Sequence, residues 1–127
     1  MLGYWLAASY LVAPSLTLVR SRDPGNRETG IGRVSSWHSS DAVLPTLVAQ
    51  GGSEALLSAL PEAQPATRLT ILELLVRMAP IGDAQARLAS RDAASHAAAS
   101  CTEAAFGTDT AAMERCQILA AALGQVL

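Results

Sequence analysis

The sequence predicts an all-α protein in which an N-terminal hydrophobic helix precedes a small helical module. Residues 1–19 carry no charged side chain, whereas Arg20 and Arg22 follow directly. From Ala42 onward, apolar residues recur at spacings of three and four, with glycine, proline and aspartate at the breaks, which is typical of short amphipathic helices. We therefore divide the 127 residues into a hydrophobic helix (1–19), an irregular linker (20–41) and a helical module (42–127).

The hydrophobic helix is just long enough to span a bilayer, which requires roughly 20 apolar residues at about 1.5 Å each. No basic residue precedes the apolar run, which disfavours a cleaved secretory signal. We prefer a membrane-embedded helix, and a helix buried in the core of the chain itself is the alternative. The predicted anchor residues are Leu2, Trp5, Leu6, Leu11, Val12, Leu16 and Val19.

The arginines that follow this helix predict its orientation. Arg20, Arg22, Arg27 and Arg33 come after the apolar run, and basic flanks favour the cytoplasmic face of a membrane. A single N-terminal span would therefore leave the helical module on the cytoplasmic side, or on the matrix or stromal side of an organelle.

The linker shows no helical or strand periodicity. It opens with Asp23-Pro24-Gly25-Asn26, a turn signal, and continues with Gly30, Gly32 and a serine cluster. We expect a loop that acts as a tether or lies over a partner. Trp37 is predicted to be a docking anchor, or a lid on the first unit of the module.

The helical module is predicted to contain six helices. Ser40 or Asp41 would cap the first, and Ser53, Asp83, Asp92 and Asp109 would cap later ones. The clearest helix spans 66–79, because its leucines recur at helical spacing. The other helices are expected at 42–49, 54–60, 84–89, 93–106 and from Asp109 onward, the last with a stripe of Ala112, Cys116, Leu119, Ala120 and Leu123.

Part of the module repeats. A short helix ends at Leu60 and is followed by a tight turn and a long helix, and a similar arrangement recurs around Leu88, 28 residues later. The run from Gly51 to Leu60, with the leucine-rich helix after it, resembles an armadillo repeat. That resemblance implies an α-solenoid of about two units, 52–79 and 82–106, with a cap at 109–127, and it implies contact with other proteins. The predicted interaction residues are Trp37, Leu72, Leu75, Arg68 and Arg77.

The composition argues against most catalytic chemistry. All nine basic residues are arginine, so lysine-dependent chemistry is excluded, and a net charge of −2 disfavours nucleic-acid binding. Ser36, His38 and Asp41 are too close in sequence to converge as a hydrolytic triad. His96 and Cys101 are five residues apart, which does not suit two metal ligands on one helix. We therefore expect no catalytic residue, no metal and no cofactor.

Two cysteines are too few for a framework of several disulfides. Cys101 and Cys116 are fifteen residues apart on successive predicted helices, so one bridge is geometrically possible. We expect two small buried residues instead, because free cysteine is among the most buried residue types.

A charged fraction of 16% beside a hydrophobic fraction of 50% suits a chain packed within an assembly. The sequence is thus interpreted as a non-catalytic accessory or scaffold subunit of a membrane protein complex, for example a respiratory or photosynthetic assembly. Its partners would be other subunits, with lipid at the N-terminal helix. The alternative is a soluble armadillo-like adaptor whose N-terminal segment packs into its own core.

Overall fold

The structure, a computed structural model, describes residues 2–37, 43–81, 95, 99, 101–102 and 106–124, without the side chains of residues 2–9. These residues contain helices and turns and no β-strand, which confirms the all-α class. The helices are α1 (Leu2–Val19), α2 (Pro24–Ser35), α3 (Leu44–Ala49), α4 (Gly52–Ala59), α5 (Pro65–Met78) and α6 (Thr110–Gly124), with a 3-10 helix (Leu60–Glu62) between α4 and α5.

α1 and α2 pack together as a helical hairpin. The buried face of α1 carries Val12, Leu16 and Val19, and α2 contributes Ile31 and Val34 to the same core. These three α1 residues were predicted to anchor the chain in a membrane. They instead form part of the chain's own hydrophobic core.

α2 lies within the segment that the sequence predicted to be irregular, so that prediction was wrong. Asp23 caps the helix, accepting a hydrogen bond on Oδ2 from the backbone nitrogen of Asn26 at 2.9 Å, and Pro24 occupies the first turn. Aspartate followed by proline is a favourable helix start, because proline needs no amide partner in the first turn. Trp37, which follows α2, is only 5% exposed and belongs to the core.

α5 is the central helix, in contact with α2, α3, α4 and α6. Its buried residues are Ile71, Leu72, Leu74, Leu75 and Met78. The predicted range of 66–79 agrees with the observed helix to within one residue at each end, because the helix is strongly periodic and begins at Pro65.

The predicted helices 42–49 and 54–60 correspond to α3 and α4, although the predicted cap of α4 was wrong. Gly51 is the N-cap, in the left-handed region at φ +80°, where glycine is favoured. Ser53 is buried inside α4, and its hydroxyl has no hydrogen-bond partner among the described residues.

α6 packs against α5, and Leu119, Ala120 and Leu123 are among its buried residues. Asp109 caps it as predicted, accepting a hydrogen bond from the backbone nitrogen of Ala112 at 3.1 Å. Four residues of the predicted stripe of α6, Cys116, Leu119, Ala120 and Leu123, are buried, whereas Ala112 is half-buried.

The predicted helix 93–106 is interrupted, because Cys101 and Thr102 form a bend. Cys101 is bonded to Cys116 of α6, with their Cα atoms 5.6 Å apart. The two cysteines are buried as expected, but they form a disulfide rather than two free thiols. The predicted helix 84–89 and the predicted caps Ser40, Asp41, Asp83 and Asp92 lie outside the described residues.

Within the described residues, no helix combines the length and the apolar character needed to cross a membrane.

Candidate functional site

A groove of about 590 Å³ crosses α5 between the end of α2 and the middle of α6. Such a volume is within the range of ligand-binding clefts in proteins. The groove is lined by Ser35 of α2, by Thr70, Glu73, Leu74, Val76 and Arg77 of α5, and by Arg115 and Leu119 of α6. We refer to it as the α5 groove.

The floor of the α5 groove is apolar, and its rim is charged. Leu74 and Leu119 are buried and contribute the floor, while Val76 is half-buried beside them. Arg77, Arg115 and Glu73 supply two positive charges and one negative charge. A partner segment with both an apolar and an acidic side chain would match this arrangement.

Glu73 and Arg115 form an ion pair that connects α5 to α6. The Nε of Arg115 donates to Oε1 of Glu73 at 3.0 Å, and a guanidinium Nη2 contacts the same oxygen. Both side chains are about half exposed, so we expect the pair to contribute only about 0.5 kcal/mol to stability. Its main consequence is that it directs the Glu73 carboxylate toward α6.

Arg77 lies one helical turn after Glu73, the spacing at which glutamate and arginine commonly pair on one helix. Glu73 is engaged by Arg115 instead. Arg77 is exposed, and within the described part of the chain its guanidinium forms neither an ion pair nor a hydrogen bond. It therefore presents an uncompensated positive charge at the rim of the groove.

The hydroxyls of the α5 groove donate to their own helices. Thr70 Oγ1 donates to the carbonyl of Ala66 at 3.3 Å, and Ser35 Oγ donates to the carbonyl of Gly32 at 2.9 Å. Because a hydroxyl oxygen also carries lone pairs, the Thr70 hydroxyl can also accept a hydrogen bond from a ligand.

The structure places the predicted interaction residues in three different environments. Arg77 alone lines the α5 groove. Leu72 and Leu75 are fully buried and cannot contact a partner while the fold is intact, and Trp37 is also a core residue. Arg68 holds the turn before α5, donating from Nε to the Ala63 carbonyl at 2.9 Å and from Nη2 to the Pro61 carbonyl at 3.0 Å.

A second exposed feature lies on α1. Tyr10 is 81% exposed and Leu11 is 49% exposed, on the helix whose opposite face is buried. Of the other predicted anchor residues, Leu2, Trp5 and Leu6 have side chains outside the described set. α1 thus combines a core face with exposed apolar groups.

Glu73 and Arg115 were not singled out as site residues from the sequence. They are 42 residues apart, and no local pattern indicates that they meet. The described residues contain no group of three or more histidine, cysteine or acidic side chains that could hold a metal ion. His96, weighed as a ligand from the sequence, lies outside the described residues.

Comparison with protein-family models, with curated proteins and with solved structures finds no match for this chain.

Proposed function

We propose that the chain is a non-catalytic protein-interaction module that binds an acidic segment of a partner protein in the α5 groove. The observation that supports this proposal is the charge of Arg77, which has no ion-pair partner among the described residues, at the rim of a groove with an apolar floor. Glu73, the residue best placed to neutralise it, is paired with Arg115.

The chemistry of the groove suggests what the partner presents. Arginine binds carboxylate through two parallel hydrogen bonds, so an aspartate or glutamate suits Arg77. An apolar side chain nearby in the partner would cover Leu74 and Leu119. Both contacts together resemble the arrangement of an interface centre, where an arginine and buried apolar groups contribute most of the binding energy.

The experiment is cross-linking mass spectrometry in the cells from which the chain comes. We would compare the wild type with Arg77→Glu and with Arg33→Glu, which makes the same charge change on an exposed side chain of α2 that does not line the groove. We expect an adduct between the α5 groove and an acidic peptide, reduced about tenfold by Arg77→Glu and unchanged by Arg33→Glu, since hydrogen bonds to charged groups are worth about 1.5–3 kcal/mol. Equal loss in both variants, or no groove adduct, would contradict the proposal.

A second candidate is an accessory subunit of a membrane protein complex, with an armadillo-like helical module beside the membrane. The exposed Tyr10 and Leu11 on a helix without charged residues support it, because tyrosine favours the border between apolar and polar surroundings. Alkaline carbonate extraction of native membranes separates the two candidates. Retention in the pellet would support the membrane subunit, and release would support the protein-interaction module.

A further inference from the structure

A separate cleft lies where the connection between α1 and α2 meets the end of α4 and the 3-10 helix. Its volume is about 480 Å³, and it shares no lining residue with the α5 groove. The polar groups that line it are Arg20, Ser21, Arg22, Arg27, Ser58 and Glu62. We refer to it as the arginine cleft.

The arginine cleft has an excess of positive charge. Among the lining residues that the structure describes, three carry guanidinium groups and Glu62 alone carries a carboxylate. Glu62 Oε2 lies 3.2 Å from Nη1 of Arg27, and its side chain is 72% exposed, so solvent weakens its effect on the other two arginines. The lining residues therefore carry a formal charge of +2.

Two of these arginines are held by backbone carbonyls. Nη2 of Arg20 donates to the carbonyls of Gln50 and Gly51 at 3.3 and 3.2 Å. Nη1 of Arg27 donates to the carbonyls of Ser21 and Arg22 at 3.4 and 3.1 Å. Each uses only one nitrogen of a group that has five N–H donors, so each is fixed in position while retaining donors for a ligand.

Arg22 and Ser21 add unengaged donors. The guanidinium of Arg22 is exposed and has no hydrogen bond or ion pair within the part of the chain that the structure describes. The Ser21 hydroxyl oxygen accepts from the backbone nitrogen of Asp23 at 3.1 Å, which leaves its own hydrogen available to donate.

Two carboxylates lie near the cleft without lining it. Asp23 accepts the backbone N–H of Asn26 as the cap of α2, and Glu54 lies near Gly51. Neither lines the cleft, and among the described residues neither forms an ion pair with its arginines.

We propose that the arginine cleft binds a phosphate group, carried either by a soluble phosphate ester or by the headgroup of an anionic lipid. A phosphate dianion matches the formal charge of +2, and guanidinium groups recognise its oxygens by bidentate hydrogen bonds. The hydroxyl of Ser21 supplies a further donor. The proposal does not depend on the α5 groove, and its failure would leave the function proposed for that groove unaffected.

The test uses the full chain and two arms. Inorganic phosphate is titrated calorimetrically at constant ionic strength, and flotation is measured with phosphatidylcholine vesicles with and without phosphatidic acid. The variants are Arg22→Gln and the control Arg33→Gln; neither side chain makes a hydrogen bond or ion pair within the described residues, so both variants should fold, which circular dichroism verifies.

We expect saturable binding in at least one arm, weakened about tenfold by Arg22→Gln and less than about twofold by Arg33→Gln, because each lost charged hydrogen bond has a cost of that order. Binding of free phosphate alone would identify a soluble ester as the source. Flotation that requires phosphatidic acid and is competed by phosphate would identify a lipid headgroup. Absence of binding in both arms, or equal loss in both variants, would overturn the proposal.

Discussion

Gly30 of α2 lies against Val19 of α1 so closely that a β-carbon on Gly30 would be 2.6 Å from the backbone nitrogen of Val19. The same atom would lie 2.8 Å from the carbonyl oxygen of Ser15. The two helices therefore meet backbone to backbone at this point, and only glycine fits without displacing one of them.

Gly30→Ala should destabilise the chain by about 1–3 kcal/mol, because backbone atoms cannot yield as a flexible side chain would. Gly32→Ala is the matched control on the same helix, where a β-carbon meets nothing within 4 Å. It should stabilise the chain by about 0.5–1 kcal/mol through the higher helix propensity of alanine. Urea unfolding followed by circular dichroism measures both free energies. Equal shifts in the two variants would show that the close approach does not constrain the hairpin.

Ser15 is fully buried on α1, and its hydroxyl has no hydrogen-bond partner among the described residues. Ser15→Ala should raise the free energy of unfolding by about 1 kcal/mol, since a buried unpaired hydroxyl is unfavourable. Ser58→Ala provides the comparison, because the Ser58 hydroxyl donates to the Ala55 carbonyl at 2.8 Å. Thermal unfolding should show a larger gain for Ser15→Ala. A loss of stability would indicate that the hydroxyl has a partner after all.

A side-chain hydrogen bond connects α2 to α5. Thr67 Oγ1 donates to Oε2 of Glu28 at 2.6 Å, across 39 residues of sequence. Thr67→Val keeps the shape of the side chain but removes the donor, and should reduce stability by about 1.5 kcal/mol. Thr70→Val removes a hydroxyl that bonds only within α5, and we expect a change below about 0.5 kcal/mol. Chemical denaturation measures the free energy of unfolding of both variants. Equal losses would show that the hydrogen bond between Thr67 and Glu28 adds no stability of its own.

The disulfide between Cys101 and Cys116 should stabilise the C-terminal part of the chain. Closing a loop of this size lowers the conformational entropy of the unfolded chain and so raises its free energy by about 3 kcal/mol in the chain-entropy description. Replacement of both cysteines by serine, or reduction of the wild type, should therefore lower the melting temperature. The reductant should leave the doubly substituted variant unchanged. A wild type whose melting temperature is insensitive to reduction would contradict this prediction.

The helices with a clear apolar period were predictable from the sequence. α5 and α6 were placed nearly as observed, because each has apolar residues at helical spacing and a recognisable start at Pro65 or Asp109. α2 was missed because its glycines suggested a loop. Gly30 is explained by its close packing against α1, and that contact is not visible in a local pattern.

The site was less predictable than the fold. Arg77 was identified because a charged residue on an amphipathic helix faces away from the core. Leu72 and Leu75 were assigned to an interaction surface, although their periodicity is equally that of core residues, and the structure buries them. The pairing of Glu73 with Arg115, which leaves Arg77 without a counter-ion among the residues that the structure describes, depends on how α6 returns to α5. Only the three-dimensional arrangement supplies that information.

The two cysteines of this chain also simplify the route by which it acquires its covalent structure. With Cys101 and Cys116 as its only thiols, the chain has one possible intramolecular pairing, whereas a chain with four cysteines has three. No incorrect internal pairing can form, and no exchange between disulfides is needed to correct one. Any other disulfide must join this chain to a different molecule.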